Sequence, residues 1–272
     1  IPFSVSTKFT NVYWKKTWKT EIVKRLFDAE EGVFIDVGAN IGQTLLDFRV
    51  THPNAQYVGF EPNISCVFYL KELISVNSFR NCQIIPAALN DETNCLSLYR
   101  AKDHQDDVCA TINSDLRPER FYDVDHALCF RFDEIRHRLG IGRIDFIKID
   151  AEGSELECLK GMRDSLQAFR PEILCEVLFT DGKADIERHR ERNRRLMQFL
   201  GELNYDVLQL IKSSDDKSVV DVRRIQNFPS AYWTMDNKDL CDYLFIPREK
   251  VKKVYALFRG GEAGYSQLVL DA

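Results

Sequence analysis

Five segments carry apolar residues on consecutive positions: VFIDV (33–37), QYVGFE (56–61), CQIIPAAL (82–89), RIDFIKID (143–150) and PEILCEVLF (171–179). A strand with one wet face alternates apolar and polar residues, so strands without that alternation must be covered on both sides. Helical patterns lie between most of them: IGQTLLDFRV, ISCVFYLKELISVN, SELECLKGMRDSL and, further on, ADIERHRERNRRLMQFLGEL. YDVLQLI and DYLFIP read as two later strands. The pattern predicts an α/β fold with a mostly parallel sheet and helices on both faces, whose ligands bind outside the carboxyl ends of the strands.

The flanks and the middle break this alternation. Residues 1–12 are polar and irregular, and YWKKTWKTEIVKRLF then places Trp14, Trp18, Ile22 and Leu26 at the spacing of an amphipathic entry helix. NCLSLYRA and ALCFRFDEI read as short strands around a charged loop, and KSSDDKSVVDVRRIQNFPSAYWTMDN reads as a polar and aromatic insertion. We expect an N-terminal extension with its helix over 1–30 and a main domain over 31–250 with insertions near 102–126 and 213–238. A C-terminal helix and loosely held tail follow over 251–272.

The chain has 272 residues, enough for one large domain, and its 37 basic and 42 acidic residues are mixed along it. With a net charge of −5, no basic footprint for nucleic acid is present, and no nucleic-acid partner is expected. No apolar run approaches the roughly 18 residues a membrane span requires. The start of the chain also lacks a basic-then-apolar leader, so a soluble, cytoplasmic protein is expected. The eight cysteines (Cys66, Cys82, Cys95, Cys109, Cys129, Cys158, Cys175, Cys241) are scattered without a C-x-x-C pair and read as reduced.

After the first strand the chain runs Asp36-Val37-Gly38-Ala39-Asn40-Ile41-Gly42 into a helix. Glycine lets the backbone turn tightly and approach a ligand, and the helix start offers free N–H groups. The G-x-N-x-G spacing misses the G-x-G-x-x-G that cradles a dinucleotide pyrophosphate, which counts against an NAD-dependent oxidoreductase. The second strand ends in Glu61, roughly twenty residues on, where an acid accepts hydrogen bonds from ribose hydroxyls. The residues alone therefore point to a nucleoside-binding α/β enzyme. The plainer alternative leaves Gly38 and Gly42 as turn formers and Glu61 as a solvated strand end.

VFIDVGANIGQ, YVGFEPN, IIPAALND, IDFIKIDAEGSELECLKGM and PEILCEV together resemble an FkbM-type methyltransferase over residues 33–180, with DYLFIP as its last strand. The resemblance implies a Rossmann-like class I methyltransferase fold, with a seven-stranded sheet whose last strand is antiparallel, and S-adenosylmethionine as cofactor. It further implies that Asp36, Gly38, Ala39, Asn40 and Gly42 line the methionine end and that Glu61 holds the ribose. Pro62, Asn63, Ala87 and Ala88 would border the adenine. The implied reaction is O-methylation of a sugar, glycan or natural product, with a catalytically silent binding protein on the same fold as the alternative.

The next strand ends Lys148-Ile149-Asp150-Ala151-Glu152-Gly153, and Glu176 closes the strand expected beside it. Methyl transfer to a hydroxyl depends on alignment, helped by a general base worth about 10²- to 10⁴-fold. Asp150 or Glu152 is the first candidate for that base, or for the group that orients the acceptor and the cofactor's amino group, with Asp150 also counted among the cofactor-binding residues and Glu176 third. The competing account pairs Lys148 with one carboxylate structurally and uses Glu152 to cap a helix beginning at Ser154. These acids also suit a hard cation, but their spacing demands none, and no metal is expected. His52, His126, His137 and His189 read as surface residues, with His104 in the mid-chain loop the best outsider. No G-x-S-x-G elbow, Asp/Asn-Pro-Pro-aromatic or Pro-Cys motif occurs, which removes acyl transfer and nucleobase methylation. The ERHRERNRR run reads as a solvated helix face or an anion patch. Phe228, Tyr232, Trp233 and Met235 read either as an acceptor wall or as the insertion's own core.

Overall fold

The computed structural model describes residues 4–6, 11–13, 17–101, 109–113, 123–180, 185–215 and 217–259. In chain order the elements are β1 (Ser4–Ser6), β2 (Asn11–Tyr13), α1 (Trp18–Leu26), β3 (Val33–Val37), α2 (Gln43–Thr51), β4 (Gln56–Phe60), α3 (Ile64–Val76) and β5 (Cys82–Ile85). Then follow β6 (Ala88–Leu89), β7 (Asn94–Arg100), β8 (Asp123–Phe130), α4 (Phe132–Ile135), β9 (Phe146–Ile149), α5 (Glu155–Gly161) and α6 (Arg163–Phe169). The chain continues through β10 (Glu172–Glu176), α7 (Ile186–Glu202), β11 (Tyr205–Lys212), β12 (Val219–Ile225), β13 (Asp242–Pro247) and α8 (Val251–Arg259).

The main sheet has eight strands in the order β12-β11-β13-β10-β9-β3-β4-β5. β5, β4, β3, β9 and β10 pair in parallel, and β13 runs antiparallel between β10 and β11. From β3 the chain winds outward through β4 and β5, then returns to β9 on the other side of β3. The crevice outside the ends of β3 and β9 is therefore the switch point where ligands bind in open α/β sheets. Each face of the sheet carries its own core. Phe34, Phe146, Leu174, Leu208 and Leu244 pack with α1, α2 and α8 residues such as Trp18, Phe48 and Val254. Ile35, Ile147, Ile149 and Ile173 pack with Leu159, Leu196 and Phe199 of α5 and α7 on the other face.

Four sequence expectations change. The sheet gains an eighth strand, β12, within the segment read as an insertion; it pairs antiparallel with β11 across a register shift at Ile211/Lys212. Val219 and Val222 are its buried residues, three apart, so the period-2 signal is absent. CQIIPAAL splits at Pro86, which has no N–H for the ladder; β5 stays in the main sheet while β6 joins a three-stranded sheet, β6-β8-β7. SELECLKGMRDSL is two helices broken at Met162. Gly161 there lies so close to Asn90 that a Cβ would sit 2.1 Å from its carbonyl oxygen. The Asp133 carboxylate receives the new N-terminus, accepting from Asp164 N (2.8 Å) and Ser165 N (3.1 Å). Finally, the entry helix starts only at Trp18, capped by Thr17, while Asn11–Tyr13 is a strand; Trp14 lies outside the described residues.

All eight cysteines are free thiols, and among the described residues no helix is long and apolar enough to cross a membrane. Gly161→Ala is expected to lower stability by at least about 2 kcal/mol through backbone overpacking. Gly201→Ala, on an exposed turn of α7 with nothing within 4 Å, should raise it by about 0.5 kcal/mol. Urea unfolding of both variants checks the contrast.

Candidate functional site

The loop after β3 is held open by its neighbours. Gly38 N and Ala39 N both donate to Phe60 O at 3.0 Å, and Gly38, at φ +75°, approaches Asp150 so closely that a Cβ would lie 2.0 Å from its carbonyl oxygen. Gly42 is the N-cap of α2, at φ 97° and without a side-chain cap. Glu61, at the end of β4, receives Asn40 N on one oxygen and Asn63 N on the other, both at 2.8 Å. Asn63 in turn caps α3 by accepting from Ser65 N. Burial pushes the Glu61 carboxyl up to about 7, with the Asn63 and Asn40 amides opposing it. The strand-end acid is thus buried and aimed by the glycine loop itself, unlike the solvated end considered from sequence.

A row of ionisable side chains crosses the strand ends on the α1 face, because Asp36 is in register with Lys148, Lys148 with Leu174, and Glu176 with Asp242. Tyr57 OH donates to Asp36 Oδ2 (2.5 Å), and Lys148 Nζ lies 3.2 Å from Asp36 Oδ1 and 3.5 Å from Asp150 Oδ2. Lys148 also donates to Gly38 O at 2.7 Å. Burial would lower the Lys148 ammonium, but Asp36 and Asp150 outweigh it and hold it well above its ordinary value. Lys148 therefore joins two carboxylates rather than the single one expected.

Asp150 and Glu176 share a hydrogen bond and divide their charge. Burial would raise Asp150, but Lys148, Lys19 and the Glu176 hydrogen bond carry it below the ordinary carboxylate range. Burial, then Asp150 and Asp242, push Glu176 up to about 8, and Cys241 Sγ donates to its Oε1 at 3.2 Å. Beyond them Lys212 Nζ pairs with Asp242 (2.5 Å) and sits 4.5 Å above the Trp18 ring.

Two adjoining clefts open over this floor, sharing Gly38, Asn40 and Asp150. The first is bordered by Glu61, Pro62, Ala88, Thr111, Asp150 and Glu152. The second is bordered by Trp18, Lys19, Gln43, Thr44, Lys148 and Asp150. Of the residues expected from sequence, Gly38, Ala39, Asn40, Glu61, Pro62, Ala88, Asp150 and Glu152 line one cleft or both. Asp36, Gly42, Asn63, Ala87 and Glu176 stand outside these walls; Asp36 is fully buried behind Lys148, and Ala87 is buried.

Glu152 does not cap the following helix: α5 begins at Glu155, whose carboxylate accepts from Gly153 N (2.8 Å) and pairs with Arg192 (2.5 Å). Glu152 instead takes a left-handed φ of 46°, its carbonyl oxygen accepting from Thr111 Oγ1 at 2.6 Å. Thr111 and Lys19 carried no motif; both reach the site from segments read as loop and entry helix.

His126 and His137 are exposed, but His189 is buried and bonded through Nε2 to Leu178 O, and His52 stacks on Phe48. None of these borders either cleft, and His104 lies outside the described residues. Within ERHRERNRR, Arg192 is committed to Glu155, while Glu187–Arg190 and Glu191–Arg194 pair along the surface of α7. The late aromatics divide: Phe228 packs edge-on to Tyr243 and Phe245, whereas Tyr232, Trp233 and Met235 are exposed. Among the described residues no group of three or more His, Cys, Asp or Glu side chains is placed to hold a metal ion.

Comparison with known proteins adds the following. A family model described as the methyltransferase FkbM domain matches residues 36–207. The curated methyltransferase sdnD of Sordaria araneosa is 25% identical over 198 residues, covering 57% of this chain and 74% of that protein. A crystal structure of methyltransferase FkbM from Methylobacillus flagellatus KT is similar at 17% identity and a TM-score of 0.46, covering 80% of this chain. This chain spans 44% of that one's length. Precorrin-6y C5,15-methyltransferase from Geobacter metallireducens GS-15 is similar at 12% identity and a TM-score of 0.43, covering 84% of this chain and 85% of that one.

Lys148→Met leaves Asp36 buried without its counter-charge and should cost roughly 3–5 kcal/mol in urea unfolding; adding Asp36→Asn should restore part of the loss. Glu61 and Glu176 have folded values above their ordinary one, so their stabilisation is full below about pH 4.5 and fades as pH rises through about 7 and 8. The melting temperature of the unliganded protein should therefore fall between about pH 5 and 8.5 through these groups, and Glu176→Gln should remove the upper part of that slope.

Proposed function

The chain belongs to the FkbM methyltransferase family, and on that premise we propose that it moves the methyl group of S-adenosylmethionine to a hydroxyl of a sugar, glycan or natural-product acceptor. Its sheet is the Rossmann-like class I methyltransferase fold with one further strand, β12, at the edge. The observation that carries the proposal is Glu61: a buried carboxylate with both oxygens aimed by the Asn40 and Asn63 amides, on the wall of a cleft at the switch point.

The donor chemistry suits this cofactor. Glu61 accepts from ribose hydroxyls, and Pro62 and Ala88 give an apolar border for a purine. Gly38 keeps open a space that any Cβ would close against Asp150. The loop offers no run of free amides for a pyrophosphate, since Gly38 N and Ala39 N are spent on Phe60 O and Asn40 N on Glu61.

When bound, S-adenosylmethionine supplies a methyl carbon made electrophilic by a positive sulfonium. Asp150, kept ionised by Lys148, would hold the ammonium of the amino-acid end. Glu176 lies outside the cleft walls but is only half-buried and is hydrogen-bonded to Asp150, so it would take the proton of an acceptor held past Asp150: with its carboxyl near 8, a useful fraction is ionised at neutral pH. Glu152 flanks the first cleft as a further acceptor-orienting carboxylate.

Calorimetry should show S-adenosylmethionine binding that weakens about tenfold or more in Glu61→Ala, the scale of a lost charged hydrogen-bond partner. Because ribose hydroxyls donate to the ionised carboxylate, affinity should rise from pH 6 to 8 as Glu61 titrates near 7, and then level. With labelled cofactor and candidate glycans, turnover should survive exhaustive chelation and fall about 10²-fold or more in Glu176→Gln. Binding without turnover on any acceptor would favour a silent binding protein, and absence of binding would remove both readings.

A further inference from the structure

The second cleft is walled partly by α1, which lies upstream of the region matched by the family model. Thr17, Trp18 and Lys19 face Gln43 and Thr44 of α2 across it, with Lys148 and Asp150 at its floor. This arrangement is held in place. Thr20 Oγ1 donates to Asp47 Oδ1 (2.5 Å), the Glu21 carboxylate accepts from Val219 N (3.0 Å), and buried Trp18 lies under Lys212. The helix is therefore pinned to α2 on one side and β12 on the other, with its first turn fixed over the strand ends.

The cleft has two cations on its wall with unequal commitments. Lys148 is engaged by Asp36, Asp150 and Gly38 O. Lys19 forms no ion pair among the described residues, although its charge reaches Asp150, Glu176 and Asp242. Opposite it, α2 starts at Gly42 with no side-chain cap, so its first amides have no acceptor inside the helix. The cleft wall thus carries an ionised carboxylate, Asp150, together with the Lys19 ammonium, 5.6 Å from the centre of the Trp18 ring, and the uncapped start of α2. That pair of charges matches an α-amino acid zwitterion, with its ammonium at Asp150 and its carboxylate at Lys19.

We propose that α1 completes the cofactor site, with Lys19 pairing with the carboxylate of the cofactor's methionine end. This rests on the reading of the joined clefts as an S-adenosylmethionine site. α1 is then a working wall rather than an appended entry helix, and a chain cut back to the family-matched region would lose affinity for the amino-acid end.

The test is calorimetric binding of S-adenosylmethionine and of decarboxylated S-adenosylmethionine, which keeps the nucleoside, sulfonium and amine, to the full chain and to Lys19→Met. Lys24→Met, exposed on the same helix, is the control. The general field of Lys19 repels both cationic ligands, so its removal alone would tighten both. Pairing predicts the opposite for one ligand: Lys19→Met should weaken S-adenosylmethionine about tenfold or more and leave the decarboxylated ligand unchanged or tighter, with Lys24→Met neutral for both. Unchanged or tighter binding of S-adenosylmethionine, or equal weakening of both ligands, overturns the proposal while leaving the cofactor reading intact. Failure of the unmodified chain to bind either ligand overturns the cofactor reading and this inference with it.

Discussion

Lys148 is the residue on which the strand ends depend. Its ammonium is buried at the centre of the sheet, between the carboxylates of Asp36 and Asp150, and it donates to the carbonyl of Gly38. An exposed pair is worth at most about 1 kcal/mol, whereas breaking a buried one leaves a charge without a partner and costs several times more. The same ammonium therefore ties β9 to β3, fixes the loop that forms the cleft floor, and keeps Asp150 ionised. Asp36 works from behind, itself oriented by Tyr57 OH. Its carboxylate pairs with Lys148 from the buried side.

From that fixed centre the other acids acquire different states. Glu61 and Glu176 are both buried glutamates, yet they meet different surroundings. Backbone amides orient Glu61, and an ionised neighbour, Asp150, burdens Glu176. Two carboxyls near neutrality and one held firmly ionised thus stand close together at the strand ends, each set by its own surroundings. The row continues through Asp242 and Lys212 to Trp18, so the chemistry of the strand ends is electrically continuous with α1.

The parallel strands were legible because consecutive apolar residues can be satisfied only by burial on both faces, and Ile35 and Phe34 do enter opposite cores. β12 was not, because its buried valines are three apart and its remaining positions are mostly charged. Nor was the break at Met162: local helix propensity runs through it, and the close approach of Gly161 to Asn90 decides against it. Glu152 read equally well as a helix cap, but Glu155 takes the Gly153 amide. His189 sits in a highly charged stretch and still turns inward, because α7 keeps one face on the sheet.

The sequence by itself determined the winding of the chain, the glycine loop and the placement of Glu61 at a strand end, since each depends on residues adjacent or periodic in the chain. Only the tertiary structure decided which acids carry charge, that Asp36 lies behind Lys148 rather than on the cleft wall, and that Lys19 and Thr111 border the clefts. Ionisation and access are set by burial and by neighbours distant in the chain, and no local pattern encodes either.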